Sequence, residues 1–161
     1  MSETEFRLAR NDDLPAVYLL IQQAFGPLQQ RLPTRPTALD ETVASLNGHL
    51  SNGCQIFLIA QGPRLLACLL VQPATVGCVE VKRLCTHPTW QGRGLGSALL
   101  THVEGQLRRQ GVRAIRLATR RRLPDNLRFY QHRGYLEHER RPYPVGIDDE
   151  LVTLGKTLSG R

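Results

Sequence analysis

Two periods divide the chain. Seven short segments, most of them apolar, fall at residues 5–9, 54–60, 65–71, 78–86, 112–118, 135–140 and 150–158. Runs this short, bounded by Gly, Pro, Asn or Asp, predict strands. Four other stretches repeat every three or four residues and predict amphipathic helices. The first, capped by Asn11 or Asp12, aligns Leu14, Val17, Tyr18, Ile21 and Phe25, and Gly26-Pro27 stops it. The second covers residues 40–49, with Val43, Leu46 and Leu50 on one face. The third aligns Leu95, Ala98, Leu99, Val103 and Leu107 and ends at Gly111. The fourth runs from Pro124-Asp125 to about Arg133 and ends at Gly134.

The connections set the topology. Gln61-Gly62-Pro63-Arg64 is a hairpin signal, so the segments at 54–60, 65–71 and 78–86 form an antiparallel meander. His87-Pro88 closes the last of them, because proline cannot donate to the ladder. The helix at 95–110 then carries the chain back to 112–118 by a right-handed crossover, which makes 78–86 and 112–118 parallel. The expected class is α/β (α+β): a mixed, mostly antiparallel sheet with helices on both faces. Residues 27–39 hold three prolines and little periodicity. They read as the wall of a pocket or as a plain surface connection.

Composition narrows the setting. At 161 residues the chain is one domain, 1–161, long enough for a proper core. No apolar run approaches membrane-spanning length, and the acidic start Met1-Ser2-Glu3-Thr4-Glu5 is not a signal peptide. Cys54, Cys68, Cys78 and Cys85 form no Cys-x-x-Cys pair and read as buried thiols in a reducing compartment, neither a disulfide frame nor a metal site. The expected location is the cytoplasm. The net charge of +7 is uneven: residues 1–81 carry five Lys/Arg and seven Asp/Glu, residues 82–161 sixteen and seven. A basic half suggests an anionic partner, either nucleic acid or a nucleotide with several phosphates. Aromatics make up only 6% and no stacking platform or recognition helix is visible, so nucleic acid is not expected.

The basic half contains Gln91-Gly92-Arg93-Gly94-Leu95-Gly96, between a strand and a helix. Glycines there let main chain approach a ligand without a Cβ in the way. A helix start adds unpaired N–H groups and the positive end of the dipole, and Arg93 a fixed charge. The combination suits a diphosphate. A P-loop would need a Lys after the glycines, and the dinucleotide fingerprint a different glycine spacing. The pattern that fits is Gln/Arg-x-x-Gly-x-Gly/Ala, met by Gln91, Gly94 and Gly96.

That loop resembles the pyrophosphate loop of the GNAT superfamily of acyl-CoA N-acyltransferases. The order β-α-α-β-β-β-α-β-α-β-β resembles its fold over nearly the whole chain. The central strand Val81-Lys82-Arg83-Leu84-Cys85-Thr86-His87-Pro88 and Phe129-Tyr130-x-x-x-Gly134-Tyr135 add two more motifs in the right order. The resemblance implies a splayed parallel strand pair and acetyl-CoA as cofactor. The diphosphate would lie on Gln91, Gly92, Arg93, Gly94, Leu95, Gly96 and Ser97, and the pantetheine arm along Leu84, Cys85 and Thr86, where an N–H would also stabilise the oxyanion. It implies direct acetyl transfer to a primary amine of a small molecule or peptide, with Tyr130 as the acid that serves the leaving thiolate. A lysine-like amine, pKa ~10.4, must lose a proton first. Glu80, an acid in the central strand, is the best-placed base, with a Glu80–Lys82 or Glu80–Arg83 surface pair as the alternative reading; His87 and His138 are weaker choices. Cys85 as nucleophile is not expected, since direct attack needs no covalent intermediate.

One position departs from the family pattern. Many relatives carry an Asn well upstream of the tyrosine, whereas here Asn126 is four residues before Tyr130; it either contacts the cofactor from another angle or caps its helix. Arg120, Arg121, Arg122 and Arg133 either meet phosphates or form a solvated face. Alternatives to the enzyme are a silent acyl-CoA-binding module and, less favoured, a nucleic-acid-binding protein. The family allows a homodimer, though no residue pattern marks an interface. The acceptor is not named by any pattern; residues 25–50 and 140–150 would decide it.

Overall fold

The computed structural model describes residues 3–158. Seven strands form one sheet in the order β1-β2-β3-β4-β5-β7-β6. They are β1 (Thr4–Leu8), β2 (Gln55–Gln61), β3 (Arg64–Pro73), β4 (Cys78–Thr86), β5 (Ala114–Arg120), β6 (Leu136–Pro142) and β7 (Glu150–Thr157). All pairs are antiparallel except β4 with β5. The helices are α1 (Leu14–Phe25), α2 (Val43–Ser51), α3 (Leu95–Arg109) and α4 (Pro124–His132). This is the expected mixed sheet with its parallel pair. No described helix is long and apolar enough to cross a membrane.

The sheet separates two cores. On one face Leu99, Leu100, Val103 and Leu107 of α3 pack on Phe57, Leu69, Val79, Val81, Ile115, Leu117, Val152 and Leu154. On the other, Leu14, Val17, Leu20 and Ile21 of α1 and Leu46 of α2 pack on Ile56, Leu58, Cys68, Leu70 and Cys85. Each such side chain contributes about 1.5–3 kcal/mol when fully buried. Two apolar residues expected inside are exposed, Ala98 and Val43. In α3 the inward position is taken by Glu104, which is buried because Tyr135 Oη donates to it at 2.7 Å and Lys156 Nζ at 3.0 Å.

Boundaries moved where polar chemistry outweighed the apolar pattern. A 3-10 turn at Asn11–Asp13 precedes α1, and neither Asn11 nor Asp12 caps it. Asp13 takes the main-chain N–H of Arg10 at 2.7 Å and a two-pronged bond from Arg7 at 2.8 and 2.9 Å. Asp40 also lies in a 3-10 turn, and α2 starts only after Thr42, whose hydroxyl and that of Ser45 satisfy each other's N–H groups. β5 begins at Ala114 because Val112 still closes α3, its N–H reaching Leu107 O at 3.0 Å.

The Arg7 bond holds the Asp13 carboxyl well below its ordinary value, at about 2. A depressed value means the stabilisation is present above the ordinary carboxylate pKa and is lost as pH falls through about 2. Asp13→Asn is expected to cost about 1–2 kcal/mol at pH 7, and the deficit to shrink steadily below pH ~4, in urea titrations across that range.

Candidate active site

β4 and β5 pair over three residues only, Cys78↔Ala114, Val79↔Ile115 and Glu80↔Arg116, and then part. β5 continues against β7 to Arg120, and β4 continues against β3. In β4 the parting is followed by a bulge. Arg83 and Leu84 together face Leu69, between the pairs Leu70↔Lys82 and Cys68↔Cys85. Arg83 takes φ 60°, the only positive value outside glycine among the described residues. Such a conformation costs on the order of 1 kcal/mol and needs outside support. Arg83 Nε donates to Glu41 at 2.9 Å and Nη1 to Thr37 at 3.1 Å. Burial works to raise the Glu41 pKa, but the bonds from Ser45 and Arg83 outweigh it and hold the carboxyl below its usual range. The bulge reverses the alternation of β4: Val79, Val81 and Leu84 turn to the α3 face, and Cys85 to the α1 face.

β4 leads into the glycine turn. After a 3-10 turn at Pro88–Trp90, Gln91 Nε2 donates back to Thr86 O at 3.2 Å, so this side chain ties the turn to the strand. Gly92 and Gly94 take φ of 77° and 79°, and a Cβ on either would meet nothing within 4 Å. Open space and left-handed backbone together leave a cradle that only glycine provides without strain. Among the described residues, the N–H groups of Gly92, Arg93, Gly94, Leu95, Gly96 and Ser97 have no protein acceptor. They point from the start of α3, whose Gly94 cap offers no side chain. Arg93 stacks on Trp90 at 4.7 Å, and Arg133 reaches Ser97 Oγ at 2.9 Å while lying 3.7 Å over the Phe129 ring. The donor set of the turn, with a strand edge freed beyond Glu80, fits a diphosphate carrying an extended arm.

α4 supplies Tyr130. Its ring meets Phe129 edge-on at 5.2 Å and Tyr135 at 5.8 Å. Burial raises its pKa above the ordinary phenol value, so the hydroxyl stays protonated across the neutral range. Asn126 does not cap α4, whose cap position is Leu123; its Nδ2 donates to Thr119 Oγ1 at 3.3 Å. Cys85 is buried, 3.6 Å from Cys68 Sγ, and its shared hydrogen bond and its burial raise its pKa, so the thiol is inert. His87 Nδ1 accepts from Thr89 N at 3.1 Å, an ordinary turn contact.

Glu80, Leu84, Asn126 and Tyr130 line one cavity of about 820 Å³. Cys85, Thr86 and the turn at 91–97 follow from β4 but do not line it. Glu80 also lies 3.7 Å from Lys82, the alternative pairing read from sequence. The remaining walls come from loops: Leu28, Leu32 and Thr34 on one side, Tyr143, Val145 and Ile147 on the other. These positions carry no periodicity, and only the three prolines hinted at the first loop. Both are pinned by arginines. Arg120 Nε donates to buried Asp149 at 2.7 Å, Nη1 to Thr34 O at 3.0 Å, and its guanidinium stacks on Tyr143 at 4.6 Å. Arg121 and Arg122 bind Asp148. These three therefore fasten loops; they are not a free basic face.

Residues 14–135 match the model of the acetyltransferase (GNAT) family. The chain belongs to that family. It is accordingly an acyltransferase of the acetyl-CoA-using GNAT type. Solved GNAT structures share the fold. The ribosomal-protein-S18-alanine N-acetyltransferase of Escherichia coli superposes with a TM-score of 0.79 at 20% identity, covering 98% of this chain and 95% of that one. PaiA N-acetyltransferase of Thermoplasma acidophilum, in complex with coenzyme A, gives 0.80 at 14% identity over 96% and 99%. A GNAT-family acetyltransferase of Staphylococcus aureus Mu50 gives 0.74 at 14% identity over 98% and 100%. No curated protein matches the sequence.

The turn gives a paired prediction. Gly94→Ala forces a side chain to φ 79° and is expected to cost about 1 kcal/mol. At Gly96 a Cβ meets Phe129 Cζ at 3.6 Å and Thr86 Oγ1 at 3.8 Å, ordinary contacts, so Gly96→Ala is expected to cost under ~0.5 kcal/mol. Urea midpoints of the two variants test the difference.

Proposed function

We propose that this GNAT acetyltransferase moves the acetyl group of acetyl-CoA directly to a primary amine. The observation that carries the reading is the parting of β4 from β5 after Glu80, beside a helix start whose N–H groups have no acceptor among the described residues. Gln91, Gly92, Arg93, Gly94, Leu95, Gly96 and Ser97 would hold the diphosphate, the edge at Leu84, Cys85 and Thr86 the pantetheine arm, and Asn126 would contact that arm. When bound, acetyl-CoA supplies a thioester carbonyl open to attack.

The residues then divide the proton work. Glu80 Oε accepts a proton from the acceptor's ammonium, which at pKa ~10.4 is neutral in only about one molecule in 10³ near pH 7. Tyr130 Oη–H donates a hydrogen bond toward the departing sulfur. A phenol at ~10 is a weaker acid than a thiol at ~8.5, and burial widens the gap. Tyr130 thus acts by stabilising charge as it develops, since full transfer is uphill by about 2 kcal/mol or more, and the second proton, shed by the acceptor nitrogen as the amide forms, passes to the leaving sulfur. A preorganised N–H from the freed strand edge contributes about 3–4 kcal/mol to carbonyl activation.

Isothermal titration of the protein with acetyl-CoA and with free CoA is expected to show micromolar binding that Gly94→Arg abolishes; absence of binding to either overturns the proposal. Tyr130→Phe is expected to keep that binding and to lower kcat about 10²-fold with amine acceptors. The alkaline decline of kcat is expected above pH ~10, the ordinary phenol value, because Tyr130 is raised. A decline centred near pH 8–9 would assign the donor role to another group.

A further inference from the structure

The cavity beneath Tyr130 does not end at Glu80. A second groove of about 890 Å³ continues over β5, β7 and β6. Glu80, Ala118 and Leu151 line both, so the two are continuous. Among the described residues this half of the sheet has no helix on the α1 side: no residue of β5, β6 or β7 belongs to the core built around α1 and α2. Its floor is small, made by Ala114, Ala118, Thr153 and Gly155. His138 lies against that floor, since a Cβ at Gly155 would come within 2.5 Å of its Nε2.

Charge distinguishes one residue. Six of the cations lining the two cavities, Arg35, Lys82, Arg83, Arg120, Arg141 and Lys156, each have a carboxylate oxygen between 2.7 and 3.7 Å away. Arg116, exposed in the groove, has none within 4.0 Å among the described residues. It is also the register partner of Glu80 across the parallel pair. A carboxylate that takes an ammonium and a free guanidinium therefore stand side by side. That pattern complements an amine followed closely by a carboxylate.

We infer that the acceptor is the N-terminal segment of a polypeptide with a carboxylate side chain just after its terminal amine, which Arg116 ion-pairs. The inference rests on the amine-acetylation reading above and narrows it. The rest of the segment runs extended over the small-residue floor toward β6. From β5 to β6 is two strand spacings, about 10 Å, the reach of roughly three extended residues. A free acidic amino acid would fill only the end at Glu80 and Arg116 and leave the groove unused.

The test uses two hexapeptides with free N-termini and a C-terminal fluorophore, one with Asp at its second and fourth positions and one with Lys there. Anisotropy titrations in the presence of CoA are expected to show the Asp peptide binding wild-type protein about 10-fold more tightly at low salt. Arg116→Gln removes the preference and Arg116→Glu reverses it, while isothermal titration with acetyl-CoA gives the wild-type affinity in both. Thiol-release rates with the same peptides follow the same order. Equal binding of the two peptides, no binding of either, or an order unchanged in Arg116→Glu overturns the inference. Free glutamate competing as well as the Asp peptide, mole for mole, overturns the polypeptide occupant. Failure of wild-type protein to bind acetyl-CoA would instead remove the acetyl-transfer reading, so the two failures are separate results.

Discussion

Everything in this molecule turns on where two parallel strands stop pairing. β4 and β5 share three residue pairs and then diverge, each kept in place by its other neighbour. Main-chain groups inside a sheet normally satisfy one another, and leaving a central edge free carries a cost unless something else occupies it. Here the gap opens onto the α3 turn on one side and a cavity on the other. The bulge at Arg83 is the local device: one extra residue reverses which side chains face which core, so Leu84 and Cys85 each land in an apolar setting. The backbone strain at Arg83 is offset by its bonds to Glu41 and Thr37.

Those bonds link strand to loop, and a second set matches them from the other strand. Arg83 of β4 reaches Thr37, and Arg120 of β5 reaches Thr34. One short loop is therefore fastened to both diverging strands at points three residues apart. The same Arg120 holds Asp149 and stacks on Tyr143, which brings the loop between β6 and β7 to the opposite wall. A buried ion pair of this kind adds little net stability, because desolvation offsets the attraction, but removing one partner would strand a charge. Its evident use is placement: three segments distant in sequence meet at one guanidinium.

The sequence made the skeleton readable and left the walls dark, for a physical reason. Apolar periodicity reports burial against a sheet, and it located the helices and the buried strands to within a few residues; β1 and β6, which bury no residue, carry no such signal. The glycine turn was readable because left-handed backbone at a strand-to-helix turn favours one residue type. The bulge was not, since Arg83 is no glycine and its conformation is held from far along the chain. The pocket walls were legible only as segments, 27–39 and 140–150; the side chains that line the cavity, Thr34, Tyr143 and Ile147 among them, answer to no period and are placed by arginines that sequence alone shows only as a basic cluster. Glu104 carries no signal of burial either: its place inside α3 follows from Tyr135 and Lys156, far along the chain, which meet its carboxylate.

The division of the interior into two clusters has a consequence for how such a chain changes over generations. The glycine turn and Tyr130 stand on elements that bury against one side of the sheet, and the Pro-rich loop stands on elements that bury against the other. Substitutions on opposite sides share few partners, so their effects on stability add with little interference. A lineage is thereby free to redraw one side while the other stays fixed.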